Sequence, residues 1–166
     1  MKAQIWVETV VYTLIGLTII GIILGVATPR IEKARDQAVI EQTISMLNYI
    51  DEQINSAKLP GDVRIVPEIG IKRGKLGILS PENAIVFVLD DSSYMYSELG
   101  LRIDKGDISV LTEKSGKKYQ ITLRIDYQNN LTYNGQKIEH YMQKAAIPYK
   151  IAIENKGNSN IDIREI

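Results

Sequence analysis

Between Val10 and Ala27 the chain runs for 18 residues without a charge, VVYTLIGLTIIGIILGVA. A helix that crosses a bilayer needs about 17 to 25 predominantly apolar residues, so this run is long enough to span. Two other readings compete with it. A secretory signal peptide has a shorter apolar region followed by a small-residue cleavage site, and "GVATPR" is only a weak match to one. A buried helix of a soluble protein needs a comparably apolar shell around it, and nothing downstream is apolar enough to supply one. Membrane insertion, at least transient, is therefore the expectation for this segment.

The rest of the composition narrows the function classes. The chain has 166 residues and balances 20 basic against 20 acidic side chains, whereas nucleic-acid binders carry a concentrated basic excess. No nucleic-acid partner is expected. Cysteine is absent and His140 is the single histidine, which leaves no thiolate chemistry and no multi-histidine metal site. Positive charge flanks the apolar run on both sides, with Lys2 before it and Arg30, Lys33 and Arg35 after it. By the positive-inside rule alone, the C-terminal side would stay in the cytoplasm.

One acidic residue, Glu8, stands at the lip of the apolar run, and ahead of it lie Lys2, Ala3 and Gln4. This arrangement resembles the class III signal of archaeal type IV pilin-like proteins: a short basic leader, a small residue, then Gln, with a Glu as the fifth residue of the mature chain. The resemblance covers about 27 residues. It implies that a prepilin or preflagellin peptidase cuts between Ala3 and Gln4 on the cytoplasmic side. Residues 1–3 are then the leader, 4–28 the membrane and filament-core helix, and the large C-terminal part lies outside the cell, whatever the count of flanking cations. It also implies partners: copies of this chain or other pilin subunits in a helical filament, and the membrane before assembly. The motility-filament subunits, archaellins, share this logic. Bacterial pseudopilins fit less well, because the leader lacks their Gly-Phe junction.

The resemblance gives Glu8 a physical reason. Cleavage creates a positively charged α-amine at Gln4, and a neighbouring subunit's Glu8 can pair with it. An unpaired carboxylate among apolar helices is costly, so the pairing also sets axial register. Near a helix start Glu8 is further favoured by the macrodipole; a simple interfacial cap is the plainer alternative. Gly21 and Gly25 form a small-xxx-small pair that permits close helix approach, although glycine is common in membrane helices without such a role.

After Pro29, where a kink or short break is expected, the pattern becomes amphipathic. Ile31, Ala34, Ala38, Ile40, Ile44, Leu47 and Ile54 recur at steps of three and four, with Glu32, Lys33, Asp36, Glu41 and Asp51 assigned to other faces. The pattern predicts an amphipathic half-helix over 29–58, ending before Leu59-Pro60-Gly61. From residue 59 to 166 short β-branched and aromatic runs alternate with turn signals at Gly74, Gly106, Gly116, Gly135 and Gly157. "LTYNGQKIEH" is expected to form a hairpin with Asn134-Gly135 at its tip. The expected fold is α+β: a long N-terminal helix packed on a mainly antiparallel β-sheet or β-sandwich head domain.

No nucleophile motif, phosphate loop, dinucleotide fingerprint or zinc signature occurs. Acidic turns at Asp90-Asp91 and Asp104–Asp107 lack a calcium-loop pattern, and such residues ordinarily cap and solvate turns. No cofactor, metal or catalytic residue is expected, and the chain is read as a non-enzyme. Asn130-Leu131-Thr132 is a sequon, which makes Asn130 a candidate for N-glycosylation. The expected role is a structural subunit of a surface filament. The rivals are a membrane-anchored extracytoplasmic binding or adhesion domain that never polymerises, and an extracytoplasmic enzyme.

Overall fold

The computed structural model describes residues 2–166, with side chains described from Trp6 onward. One helix, α1, runs without interruption from Lys2 to Ser56. At 1.5 Å per residue it is about 80 Å long, far longer than the head it carries. The break expected at Pro29 does not occur. Pro29 cannot donate to the carbonyl four residues back, Gly25, so one rung of the helical ladder is missing there while the helix continues. Thr28 donates its hydroxyl to the Leu24 carbonyl at 2.7 Å, tying down the same turn. The helix stops at Ser56, two residues short of the expected end, and Arg64 donates from its guanidinium to the Ser56 carbonyl.

The head consists of β1 (Val63–Ile69), β2 (Lys75–Leu79), β3 (Ala84–Ser92), β4 (Arg102–Lys105), β5 (Ile108–Ser115), β6 (Lys118–Asp126), β7 (Asn130–Tyr133), β8 (Glu139–Gln143), β9 (Tyr149–Gly157) and β10 (Asn160–Glu165). They form a four-stranded sheet, β1-β9-β10-β7, and a six-stranded sheet, β4-β5-β6-β3-β2-β8. Every pairing is antiparallel except β10 with β7. The protein is thus α+β, with one long apolar helix packed on two mostly antiparallel sheets.

Helix and sheets share one core. Ile40, Ile44, Leu47, Ile50 and Ile54 of α1 meet Leu76, Phe87, Val110, Ile121 and Leu123 of the large sheet and Val66, Ile151, Ile153, Ile161 and Ile163 of the small one. The amphipathic reading of α1 holds from Ile40 on and fails before it. Ile31, 59% exposed, and Ala34 and Ala38 face solvent. Asp36, assigned to an outer face by its charge, is buried.

The Asn134-Gly135 turn forms, but not the hairpin ladder expected of it. Both residues adopt positive φ, 51° and 74°, and Tyr133 and Gln136 exchange backbone hydrogen bonds of 2.9 and 3.0 Å across the turn. The flanking strands then part: β7 joins the small sheet beside β10, and β8 joins the large sheet beside β2. Asp162 explains the small-sheet side, since its buried carboxylate accepts from the Thr132 hydroxyl and from the Gly135 N–H. Where the chain crosses between sheets, the Tyr133 and His140 rings stack at 4.0 Å between centroids. Strands β2 and β4, of five and four residues, are not among those expected from the sequence, and of β8 only Glu139 and His140 fall in the second arm of the expected hairpin. Gly77, central in β2, lies against the Tyr141 ring of β8, where a Cβ would come within 2.7 Å of the ring.

Leu47 is fully buried between α1 and the sheets. Leu47→Ala should lower unfolding free energy by about 2–5 kcal/mol, read from denaturant unfolding in detergent, with the apolar segment still inserting in membranes.

Candidate membrane and assembly interface

None of residues 6–28 of α1 is buried against the head. From Trp6, 73% exposed, through Val26, the large apolar side chains are exposed all round the helix. No stretch of the candidate span is buried. A helix apolar on every face belongs in a bilayer or in a bundle of other helices. Its polar side chains suit either medium: Thr13 and Thr18 donate to the carbonyls of Thr9 and Leu14, at 2.8 and 2.7 Å, so these hydroxyls leave no unmet donor. The segment is a candidate membrane anchor.

Gly16, Gly21 and Gly25 have nothing within 4 Å of the position a Cβ would take. Gly21 and Gly25, one turn apart, make a shallow strip on one side of the helix. Glu8 is exposed near the N-terminal end and makes no ion pair with a described residue. The side chains of Ala3 and Gln4, the expected cleavage junction, lie outside the described residues. Glu8, Gly21, Gly25 and Pro29 therefore share one rod, whereas Asn130 is elsewhere, at the start of β7 in the head. Asn130 is exposed and its amide oxygen accepts from Lys137, but the sequon's Thr132 is buried with its hydroxyl held by Asp162.

The rod is fixed to the head by a cluster that periodicity and charge do not reveal. Buried Asp36 pairs with Arg73, in the β1–β2 connection, and accepts the Ser93 N–H at 2.7 Å. Ser93 also donates its hydroxyl to Glu32 at 3.1 Å. Farther along α1, Lys105 and the Tyr96 hydroxyl both reach Glu41, at 3.1 Å each. The one signal that could have found Asp36 is spacing: it stands four residues before Ile40, on the same helical row as the buried stripe.

Elsewhere in the head, no group of three or more His, Asp or Glu side chains is placed to hold a metal among the described residues. An open groove beside the far end of α1 is lined by Asp51, Asn55, Arg102, Asp104, Asp107 and Tyr127, among others. Burial pushes the Asp51 carboxyl above its ordinary range; Asp107 adds to the rise, while Tyr127 and the Asn55 amide oppose it. Burial, with the nearby Asp51 charge, likewise raises the Tyr127 hydroxyl.

No protein-family model, curated protein or solved structure matches this chain.

Substitutions at two positions test the attachment and the groove. Asp36→Ala should cost about 1–3 kcal/mol of stability, because it leaves the Ser93 N–H without its acceptor and takes the ion-pair partner from Arg73, whose part-exposed guanidinium keeps its bond to the Asp91 carbonyl. Asp36→Asn, which keeps an acceptor for Ser93, should cost less in the same denaturant unfolding. For Asp51 the folded-state pKa is the raised one, so the folded state prefers the neutral acid. Its contribution to stability is present at acid pH and is lost as pH rises through the folded value. Asp51→Asn should therefore stabilise the protein at pH 7, and the gain should vanish below the ordinary carboxylate range.

Proposed function

We propose that this chain is a structural subunit of a surface filament of the archaeal type IV pilus kind. It is inserted in the membrane by its apolar helix, trimmed between Ala3 and Gln4, and polymerised through that helix with the β head outside the cell. The observation that carries this reading is the uninterrupted helix that is apolar on every face over residues 6–28 and, from Ile40 on, becomes the spine of a folded head. A plain anchor does not require its span to be rigidly continuous with a core helix. A filament does, because the position of each packed helix must be transmitted to its head.

The second support is Glu8. In water or headgroups this carboxylate needs no partner, but in a bundle of apolar helices it does. The α-amine freed at Gln4 is the partner that the proposed processing provides. Neighbouring helices also gain little from hydrophobicity while both sit in lipid, so the exposed Gly21–Gly25 strip and the Glu8 pair are what favour helix against helix over helix against lipid.

Intact-mass and N-terminal sequencing of the native protein should find a chain beginning at Gln4; a chain beginning at Met1, or cut after Ala27, contradicts the proposal. Glu8→Ala should leave membrane insertion unchanged and reduce polymerised subunit by roughly a hundred-fold, the scale of an unpaired buried charge. Wild-type protein that stays monomeric in the membrane after cleavage would instead identify an anchored binding domain.

A further inference from the structure

The end of the head from which the apolar helix emerges gathers seven cations, and six of them make no ion pair with a described residue. Two clefts flank α1 there. Lys33, Lys117 and Lys118 line one, with Tyr94, Met95 and Tyr119; Arg35, Lys72 and Lys144 line the other, together with Arg73. Neither cleft includes a carboxylate. Arg73 is committed to Asp36, but Lys33, Arg35, Lys72, Lys117, Lys118 and Lys144 make no ion pair among the described residues. The acids at this end are fewer than the cations: Asp36 is neutralised by Arg73, Glu32 and Asp90 keep their charge while bonded to Ser93 and Gln120, and Asp91 and Glu68 lie beside Arg73 outside the two clefts. Four sequence-distant segments supply the cations, so folding creates a charge cluster that the sequence does not display as a run.

We propose that these two clefts hold the phosphate groups of anionic lipids, seating the base of the head on the membrane surface before the subunit leaves it. Depth favours this occupant. If the span ends near Pro29, Lys33 and Arg35 follow by about 6–9 Å along the helix. The headgroup layer on each side of a hydrocarbon core is roughly that thick. The rims are also suited to an interface: Met95 is 44% exposed in the first cleft, with Tyr94 and Tyr119 beside it, and Ile147, 80% exposed, lies three residues beyond Lys144. Apolar tips and tyrosines next to unpaired cations are what a headgroup boundary accommodates and what open water does not. Because the head is rigidly joined to α1 through Asp36, seating its base also fixes how far the span can slide through the bilayer.

The inference rests on the membrane-inserted state of the proposed function but not on polymerisation. It is tested on unpolymerised full-length chain reconstituted in vesicles, so its failure is distinct from a failure to form filaments. The absence of cysteine allows single-site labelling. Ser115→Cys, at the exposed end of β5 opposite Lys118, reports on the base, and Lys58→Cys, just past the end of α1, reports on the opposite end of the soluble helix. On phosphatidylglycerol-containing vesicles, a bulky neutral maleimide should react with Ser115→Cys about five-fold or more slowly than on pure phosphatidylcholine vesicles, since each cation near an anionic surface contributes about that factor. Salt at about 1 M should abolish the difference by screening, and Lys58→Cys should show none. Adding Lys117→Glu, Lys118→Glu and Lys144→Glu should equalise the two lipids, with far-ultraviolet circular dichroism confirming the fold. Equal rates in the two lipids for the otherwise wild-type chain overturn the proposal. If Ser115→Cys is then shielded only in assembled filaments, the clefts receive a neighbouring subunit instead.

Discussion

Asp36 is where this helix joins its head. From residue 10 to 28 α1 exposes large apolar side chains in every direction and none of these residues is buried; from Ile40 on, it turns one stripe into a shared core. A buried carboxylate at that boundary must be compensated, and it is, by Arg73 and the Ser93 N–H. Those two groups come from the β1–β2 connection and the end of β3, so one side chain joins the helix to two separate parts of the head. Such a pair adds little to stability by itself, because desolvation of both charges offsets their attraction. What it adds is position: an apolar stripe can slide or rotate by a turn at small cost, whereas a buried carboxylate has only one place where it is satisfied.

The same logic recurs at Asp162. Its carboxylate holds the Thr132 hydroxyl and the Gly135 N–H, and so decides that the chain entering the Asn134-Gly135 turn stays with the small sheet. The chain leaving the turn crosses to the large sheet, and the Tyr133–His140 stack marks the crossing. Two buried acids, one at each junction, thus specify how a helix and two sheets surround a core that is otherwise interchangeable isoleucine, leucine and valine.

Much of this architecture is legible in the order of residues alone. The uncharged run, the helical stripe from Ile40 to Ile54 and the β-branched runs that form β1, β3, β5, β6, β9 and β10 all carry local periodicity, which a sequence shows directly. What escapes is non-local. Charge places Asp36 on an outer face, yet its partner Arg73 lies far along the chain and is invisible to any window of neighbouring residues. Asn134-Gly135 announces a turn, and the turn forms; nothing in ten residues can say that its two arms belong to different sheets. Pro29 promises a break, yet α1 continues through it. The candidate assembly residues divide in the same way. Glu8, Gly21 and Gly25 are readable because they sit in one segment, while the basic clefts, gathered from four, require the fold.

The apolar segment poses the final physical question. Burying a single valine, leucine or isoleucine gains about 1.5–3 kcal/mol, so a helix exposing more than a dozen large apolar side chains does not remain in water. Lipid and neighbouring helices both answer that demand almost equally, because acyl chains are as apolar as leucine. The hydrophobic effect therefore inserts the helix but cannot choose between staying in the bilayer and entering a filament. In the filament proposed above, that choice would fall to the few features that lipid cannot match: a carboxylate able to pair with an amine at Glu8, and a glycine strip open to a close helical surface at Gly21 and Gly25. In the proposed assembly the cations at the base of the head would act against them, since attraction to headgroup phosphates favours the membrane. On that proposal, two apolar environments of nearly equal energy compete for the helix, and small polar terms at its two ends would decide between them.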